Sequence, residues 1–129
     1  MVWLLVGAGG ALGSIARHGL NHLVHQGNLG SSFPLGIFLV NVIGSAAIGV
    51  LGGVLASGRM ELSFEARTFL IVGVLGGFTT FSSFSLDTLA LVRAGHLGHA
   101  TWNVVGQVGL SLIAVWLGFA FAGKVGGMV

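Results

Sequence analysis

The chain has no cysteine and little charge: ionisable Asp, Glu, Lys and Arg side chains make up 6% of its 129 residues. Without cysteine there is no disulfide, no thiolate nucleophile and no thiolate-held iron–sulfur cluster. Soluble domains carry about 25% charged residues, so an ordinary soluble domain is excluded as well. Five basic and three acidic side chains leave a formal charge of +2. The isoelectric point near 10.7 arises from these few groups. They form no basic cluster able to follow a phosphate backbone, so nucleic acid is not an expected partner.

What the chain has instead is apolar length. Hydrophobic residues make up 54%, and the mean hydropathy is +1.01. They gather into four stretches, roughly 2–16, 33–56, 67–92 and 102–122. A helix needs about 20 residues to cross a hydrocarbon core of about 30 Å. The first stretch is the shortest, because Arg17 closes it; its helix can continue toward Leu20 with the arginine snorkelling to the interface. It lacks a basic leader and an A-x-A-like cleavage site, so it is expected to be a retained helix rather than a signal peptide. The fold class expected is an all-α membrane protein, one domain over 1–129, with four transmembrane helices at about 2–20, 33–56, 65–93 and 101–123. Both termini then lie on one side.

Small residues recur at four-residue spacing, at Gly9 and Gly13 and at Gly49 and Gly53. That spacing lets helices approach closely in lipid. Pro34 suits the start of the second helix, and Ser63 the start of the third. The third helix contains GGFTTFSSFS at 76–85. Gly76 and Gly77 are poor helix formers, while Thr79 and Thr80 can cap a new helix. The motif predicts a helix broken mid-membrane between about 76 and 80. Such unwound backbone must be buried in protein or line a polar cavity.

On the fourth helix, Asn103, Gln107 and Ser111 recur every four residues and share one face. Asn103 is expected near the interface and in contact with water. Asn41 lies a third of the way along the second helix. An unpaired buried amide costs about 1–3 kcal/mol, so these groups need a neighbour, and a second copy of the chain would supply one. Basic residues divide three to two between the sides: Arg59, Arg67 and Lys124 against Arg17 and Arg93. An excess of one barely votes, and leaves open both insertion in two orientations and a single topology chosen by Arg59 and Arg67 near the membrane. An antiparallel pair would bring the two helix breaks together. His22, His25, His96 and His99 are expected in loops as solvated side chains, where their titration tunes surface charge.

In GGALGSIAR (9–17), NVIGS (41–45) and above all GGFTTFSSFS (76–85), the chain resembles the CrcB or Fluc fluoride channel family. The resemblance spans nearly the whole chain. It implies an antiparallel, dual-topology homodimer in the cell inner membrane or plasma membrane, with two fluoride pathways. Phe81 and Phe84 match the pore phenylalanines, and Asn41 the pore asparagine. Asn103, Gln107 and Ser111 fall on the family's polar track, and Arg17 matches its vestibule arginine. Gly76 and Thr79 match positions whose backbone carbonyls hold a structural sodium ion (Na+) at the dimer centre. The chain departs from the family pattern at Ile37, where a threonine is usual, and at His18, Asp87 and Gln107.

The chemistry of these residue types suits a small, strongly hydrated anion. Asn41, Gln107 and Ser111 offer hydrogen-bond donors without a fixed charge that would trap it. Aromatic ring edges are positive, so Phe81 and Phe84 can meet an anion edge-on; on the residues alone they equally suit helix packing. The alternative function is a small proton-coupled multidrug exporter, which needs an acid inside the membrane. Only Asp87 could serve, because Glu61 and Glu65 lie in a loop. An enzyme is not expected: GAGGALG at 7–13 lacks the βαβ context of a dinucleotide site. If the phenylalanines line the pore, Phe81→Ile and Phe84→Ile should each impair fluoride flux while the dimer survives. Undiminished flux in both would return the rings to a packing role.

Overall fold

In the computed structural model, which describes residues 1–124, every regular element is helical. The first helix, α1 (Val2–Gly27), runs on past Arg17 to Gly27 rather than stopping near residue 20. No proline interrupts HGLNHLVHQG, and Leu20, Leu23 and Val24 continue the apolar positions. His22 and His25 are therefore helical rather than in a loop. The turn beyond uses Gly30 at φ +94°, a left-handed conformation that side chains disfavour.

The second helix, α2 (Leu35–Ala56), starts after Pro34 as expected. Beyond the next turn, Ser63 Oγ accepts from the Ala66 amide at 3.2 Å and caps α3 (Phe64–Arg67). A π-helical stretch, Thr68–Leu75, follows, and then α4 (Gly76–Phe78). The chain breaks at Thr79 and Thr80, whose backbones are extended (φ −81°, ψ 154° and φ −152°, ψ 115°). It resumes as α5 (Phe81–Arg93), capped by Thr80 Oγ1 accepting from the Ser83 amide at 3.2 Å. The break is thus narrower than the predicted 76–80. Gly76 and Gly77 stay helical, and the weak helix propensity of Gly77 is outweighed by a packing use described below. The last helix, α6 (Leu97–Lys124), begins before residue 101 and takes in His99, while His96 remains in the preceding turn.

Glycine sets how closely the helices approach. A Cβ on Gly9 would lie 2.7 Å from the Phe69 carbonyl oxygen and 2.9 Å from Gly73 Cα. A Cβ on Gly13 would strike the carbonyl oxygen of Val74, and one on Gly77 would lie 2.5 Å from that of Gly10. The α2–α6 pairing, the most extensive in the molecule, repeats the pattern. Gly49 faces the Val115 carbonyl and Gly53 that of Phe119, while a Cβ on Gly118 would lie 2.6 Å from the Ala46 oxygen. Helices here touch backbone to backbone, as small residues allow in lipid, where apolar burial gives little drive for association.

The outside is apolar. Trp3, Leu12, Ile15, Val72, Phe81, Leu112, Trp116 and Phe121 are all exposed. Three helical segments, Leu35–Ala56, Phe64–Arg93 and Leu97–Lys124, are long and apolar enough to cross a membrane. The molecule is a multi-pass integral membrane protein built as a helical bundle with one broken segment.

Backbone contact makes the glycine positions sensitive to a single methyl. Gly13→Ala and Gly49→Ala should each lower the melting temperature in detergent, since overpacking costs about 1–3 kcal/mol. Gly7→Ala, whose Cβ would meet nothing within 4 Å, should leave it unchanged or raise it slightly. Equal melting temperatures in all three would refute the close approach.

Candidate functional site

The break in the third segment is held by one side chain. In a continuous helix the Thr80 amide would donate to the Gly76 carbonyl. Here it donates to Asn41 Oδ1 at 2.8 Å. Asn41 Nδ2 donates back to the Thr80 carbonyl at 3.0 Å. The carboxamide therefore satisfies both backbone polar groups of Thr80, which is buried. It replaces the acceptor that the break takes from the Thr80 amide, and adds a second donor to the Thr80 carbonyl, which as the N-cap carbonyl also opens the α5 ladder.

From Asn41 a chain of uncharged hydrogen bonds runs along α6. Asn41 Nδ2 also donates to Gln107 Oε1. Gln107 Nε2 donates to Asn103 Oδ1 at 3.1 Å. Asn103 Nδ2 donates to Thr88 Oγ1 at 2.9 Å, and that hydroxyl donates to the Phe84 carbonyl at 2.8 Å. The expected wet position of Asn103 is corrected: it is fully buried, because α5 crosses above it and Thr88 takes the place of water. Ser111 extends the same stripe, yet its Oγ is buried without a hydrogen-bond partner. An unsatisfied buried polar group costs about 1–3 kcal/mol, so this hydroxyl is an available donor for something that enters.

Beside the stripe lies a groove of about 420 Å³. Asn41, Gln107 and Ser111 line it on one side, and Gly76, Thr79, Phe81 and Phe84 on the other. The structure thus brings these seven sequence-selected residues to one place. It does not bring in Arg17, which sits half-exposed on α1 away from the groove, or Asn103, which lies behind Gln107. The two phenylalanine rings are 5.2 Å apart and tilted by 47°. Phe84 is buried at 8% exposure, whereas Phe81 is 77% exposed on the bundle surface.

The break releases the carbonyls of Gly76, Gly77, Phe78 and Thr79 from helical bonding, and Gly77 regains a contact from Ser14 Oγ at 3.5 Å. Gly76 loses the Thr80 amide to Asn41, and Thr79 loses the Ser83 amide to the Thr80 hydroxyl. Gly76 is exposed on this chain. Among the described residues, no group of three or more His, Asp or Glu side chains is placed to hold a metal ion, so any cation here would depend on carbonyl oxygens.

Sequence reasoning missed Thr80 as the partner of Asn41, and it missed Thr88. The signal for Thr88 was present: it is a hydroxyl four residues after Phe84 and so on the same helical face. Thr80 carried no comparable signal, because its bond to Asn41 joins positions 39 residues apart. Ser85 turns back to its own helix, donating to the Phe81 carbonyl at 2.9 Å.

An apolar multi-pass bundle, a helix broken inside it and an uncharged polar seam beside the break define a membrane protein built around a sheltered polar route. Comparison with known proteins agrees. The family described as "CrcB-like protein, Camphor Resistance (CrcB)" matches residues 4–119. The "Fluoride-specific ion channel FluC" of Opitutus terrae is 52% identical over 118 residues, covering 91% of this chain and 89% of that one. Its namesake in a strain of Thermus thermophilus is 49% identical over 125 residues, covering 97% and 98%. That of Paramagnetospirillum magneticum is 46% identical, covering 95% of each chain. The chain belongs to the CrcB/FluC fluoride channel family.

Because Asn41 satisfies both polar groups of Thr80, Asn41→Ala should destabilise the protein by about 1–3 kcal/mol. It should also accelerate hydrogen exchange at the Thr80 amide more than elsewhere in α5. Unchanged exchange at Thr80 would show that the break holds without the asparagine.

Proposed function

We propose that the protein is a fluoride-selective ion channel that exports fluoride passively from the cell, and that it works as an antiparallel homodimer of four-span subunits. The observation that carries this reading is the groove. It offers the Ser111 hydroxyl and the second Gln107 amide proton, together with the Phe84 ring, and among the described residues no charged side chain lines it. Neutral donors replace the hydration of an anion without binding it so tightly that exit fails. The relatives are named as fluoride-specific ion channels, in keeping with a non-enzymatic role.

In the pathway assigned here, Gln107 and Ser111 face the ion, Asn41 lines the route and holds Gln107 beside the break with its two amide protons, Phe81 and Phe84 present ring edges, and Asn103 orients Gln107 through its carbonyl. Arg17 belongs to the outer vestibule. Phe81 and Gly76, exposed on a single chain, support a second copy covering this face. The 26-residue α1 is long enough for the fourth crossing at about 1.5 Å per residue. The released carbonyls of Gly76 and Thr79 suit a sodium ion shared between two copies. Bound there, the ion would join the subunits and add positive potential near the midplane. The inner or plasma membrane is the expected site, where export relieves fluoride that entered as the neutral acid.

A proton-coupled exporter is the rival. Asp87 is the one acid on the broken segment's second half, and its Oδ2 is buried without a hydrogen-bond partner. It does not line the groove, which favours the channel. Purified protein in liposomes should release fluoride down its gradient with no proton gradient imposed, and should pass chloride far more slowly. Flux that requires a proton gradient, or equal chloride flux, would overturn the assignment.

A further inference from the structure

The hydrogen bonds of the polar seam all run one way. The Thr80 amide donates to Asn41 Oδ1 at 2.8 Å, and Asn41 Nδ2 donates to Gln107 Oε1. Gln107 Nε2 donates to Asn103 Oδ1 at 3.1 Å, and Asn103 Nδ2 donates to Thr88 Oγ1 at 2.9 Å. The Thr88 hydroxyl then donates to the Phe84 carbonyl at 2.8 Å. The chain leaves the broken segment at one backbone group and returns to it at another. Both ends dictate its direction, because an amide N–H can only donate and a backbone carbonyl can only accept. The Thr88 hydroxyl has a single proton, already given to Phe84, so toward Asn103 it can only accept. A carboxamide flipped anywhere along the chain would set donor against donor or acceptor against acceptor.

That direction decides what the groove meets. Gln107 lines the groove, and its carbonyl is taken by Asn41. Its amide gives one proton to Asn103 and has one left. A Gln107 carboxamide free to rotate would offer its carbonyl oxygen there as readily, and an oxygen lone pair repels an anion.

We infer that Thr88 is a positioning residue for anion selection: as the acceptor that ends the chain it holds Asn103, and through Asn103 it keeps an N–H of Gln107 for the groove. This rests on the fluoride-channel reading and deepens it with a residue outside the route. Thr88 is half-buried on α5, and neither it nor Asn103 lines the groove. Asn103 is fully buried, so without the hydroxyl its amide has no water to turn to. It must rotate toward another acceptor, which withdraws Oδ1 from Gln107. Serine can make the same two bonds as threonine, whereas valine keeps the shape and removes the acceptor. Fluoride is smaller and more strongly hydrated than chloride, so its entry depends more on donors fixed in place.

The test is the ratio of fluoride to chloride efflux from liposomes holding the purified protein, together with the fluoride concentration that gives half-maximal flux. The ratio does not depend on how many channels have folded and inserted, so a loss of stability alone leaves it unchanged. Thr88→Ser should keep the native ratio. Thr88→Val should lower it several-fold and raise the half-maximal concentration several-fold. Gln107→Leu should lower the ratio as well, and adding Thr88→Val to it should lower it no further, because the two residues act through one chain. A native ratio in Thr88→Val, a ratio in Thr88→Ser as low as in Thr88→Val, or a further drop in the double variant would overturn the assignment. If Thr88→Val fails to fold, Asn103→Leu breaks the chain one residue earlier, and a native ratio there overturns it as well. Equal passage of fluoride and chloride by the native protein would instead remove the channel reading from which this one starts.

Discussion

The paired hydrogen bonds between Asn41 and the backbone of Thr80 underlie every other feature of the site. A membrane interior supplies no water to satisfy a broken helix. Here one carboxamide supplies the acceptor that the Thr80 amide lacks and adds a donor to the Thr80 carbonyl. The consequences spread in two directions. Toward the bundle surface, the Gly76 carbonyl is freed because its donor has gone to Asn41. Toward α6, the same Asn41 amide fixes the orientation of Gln107, and through it that of Asn103 and Thr88. A single residue on α2 thereby joins the break to the polar seam.

That arrangement requires α2, α6 and the broken segment to lie very close together. Glycine makes this possible in two separate pairings. Gly9, Gly13, Gly73 and Gly77 bring α1 against the first half of the broken segment, and Gly49, Gly53 and Gly118 bring α2 against α6. Gly44 does the same locally, since a side chain there would collide with the Thr79 methyl beside the break. The same economy of side chains leaves a small apolar core and a wide apolar exterior. In a soluble protein such an exterior would aggregate; in a bilayer it is the solvated face.

Much of this was legible in the sequence, for local reasons. The apolar runs, the cap at Ser63, the start at Pro34 and the break near the paired threonines each follow from residues a few positions apart. The four-residue recurrence of Asn103, Gln107 and Ser111 puts them on one face by helical geometry alone. Other features were misjudged for equally physical reasons. Arg17 suggested an early end to α1, but its side chain can reach the interface while the helix continues beneath it. Gly76 and Gly77 suggested unwinding, but close packing of Gly77 on Gly10 holds the helix together there. Asn103 suggested a wet interface, and Thr88 covers it.

The membrane setting, the approximate limits of the apolar segments, the stripe on α6 and the existence of a break are all written along the chain. They are properties of periodicity, composition and local propensity. That Asn41 meets Thr80, that Thr88 closes over Asn103, and that the Ser111 hydroxyl is left without a partner emerge from the packed bundle alone. Each of these joins or separates residues on different helices. Which donor finds which acceptor is set by how closely the backbones approach, and that distance exists only once the glycine faces have met.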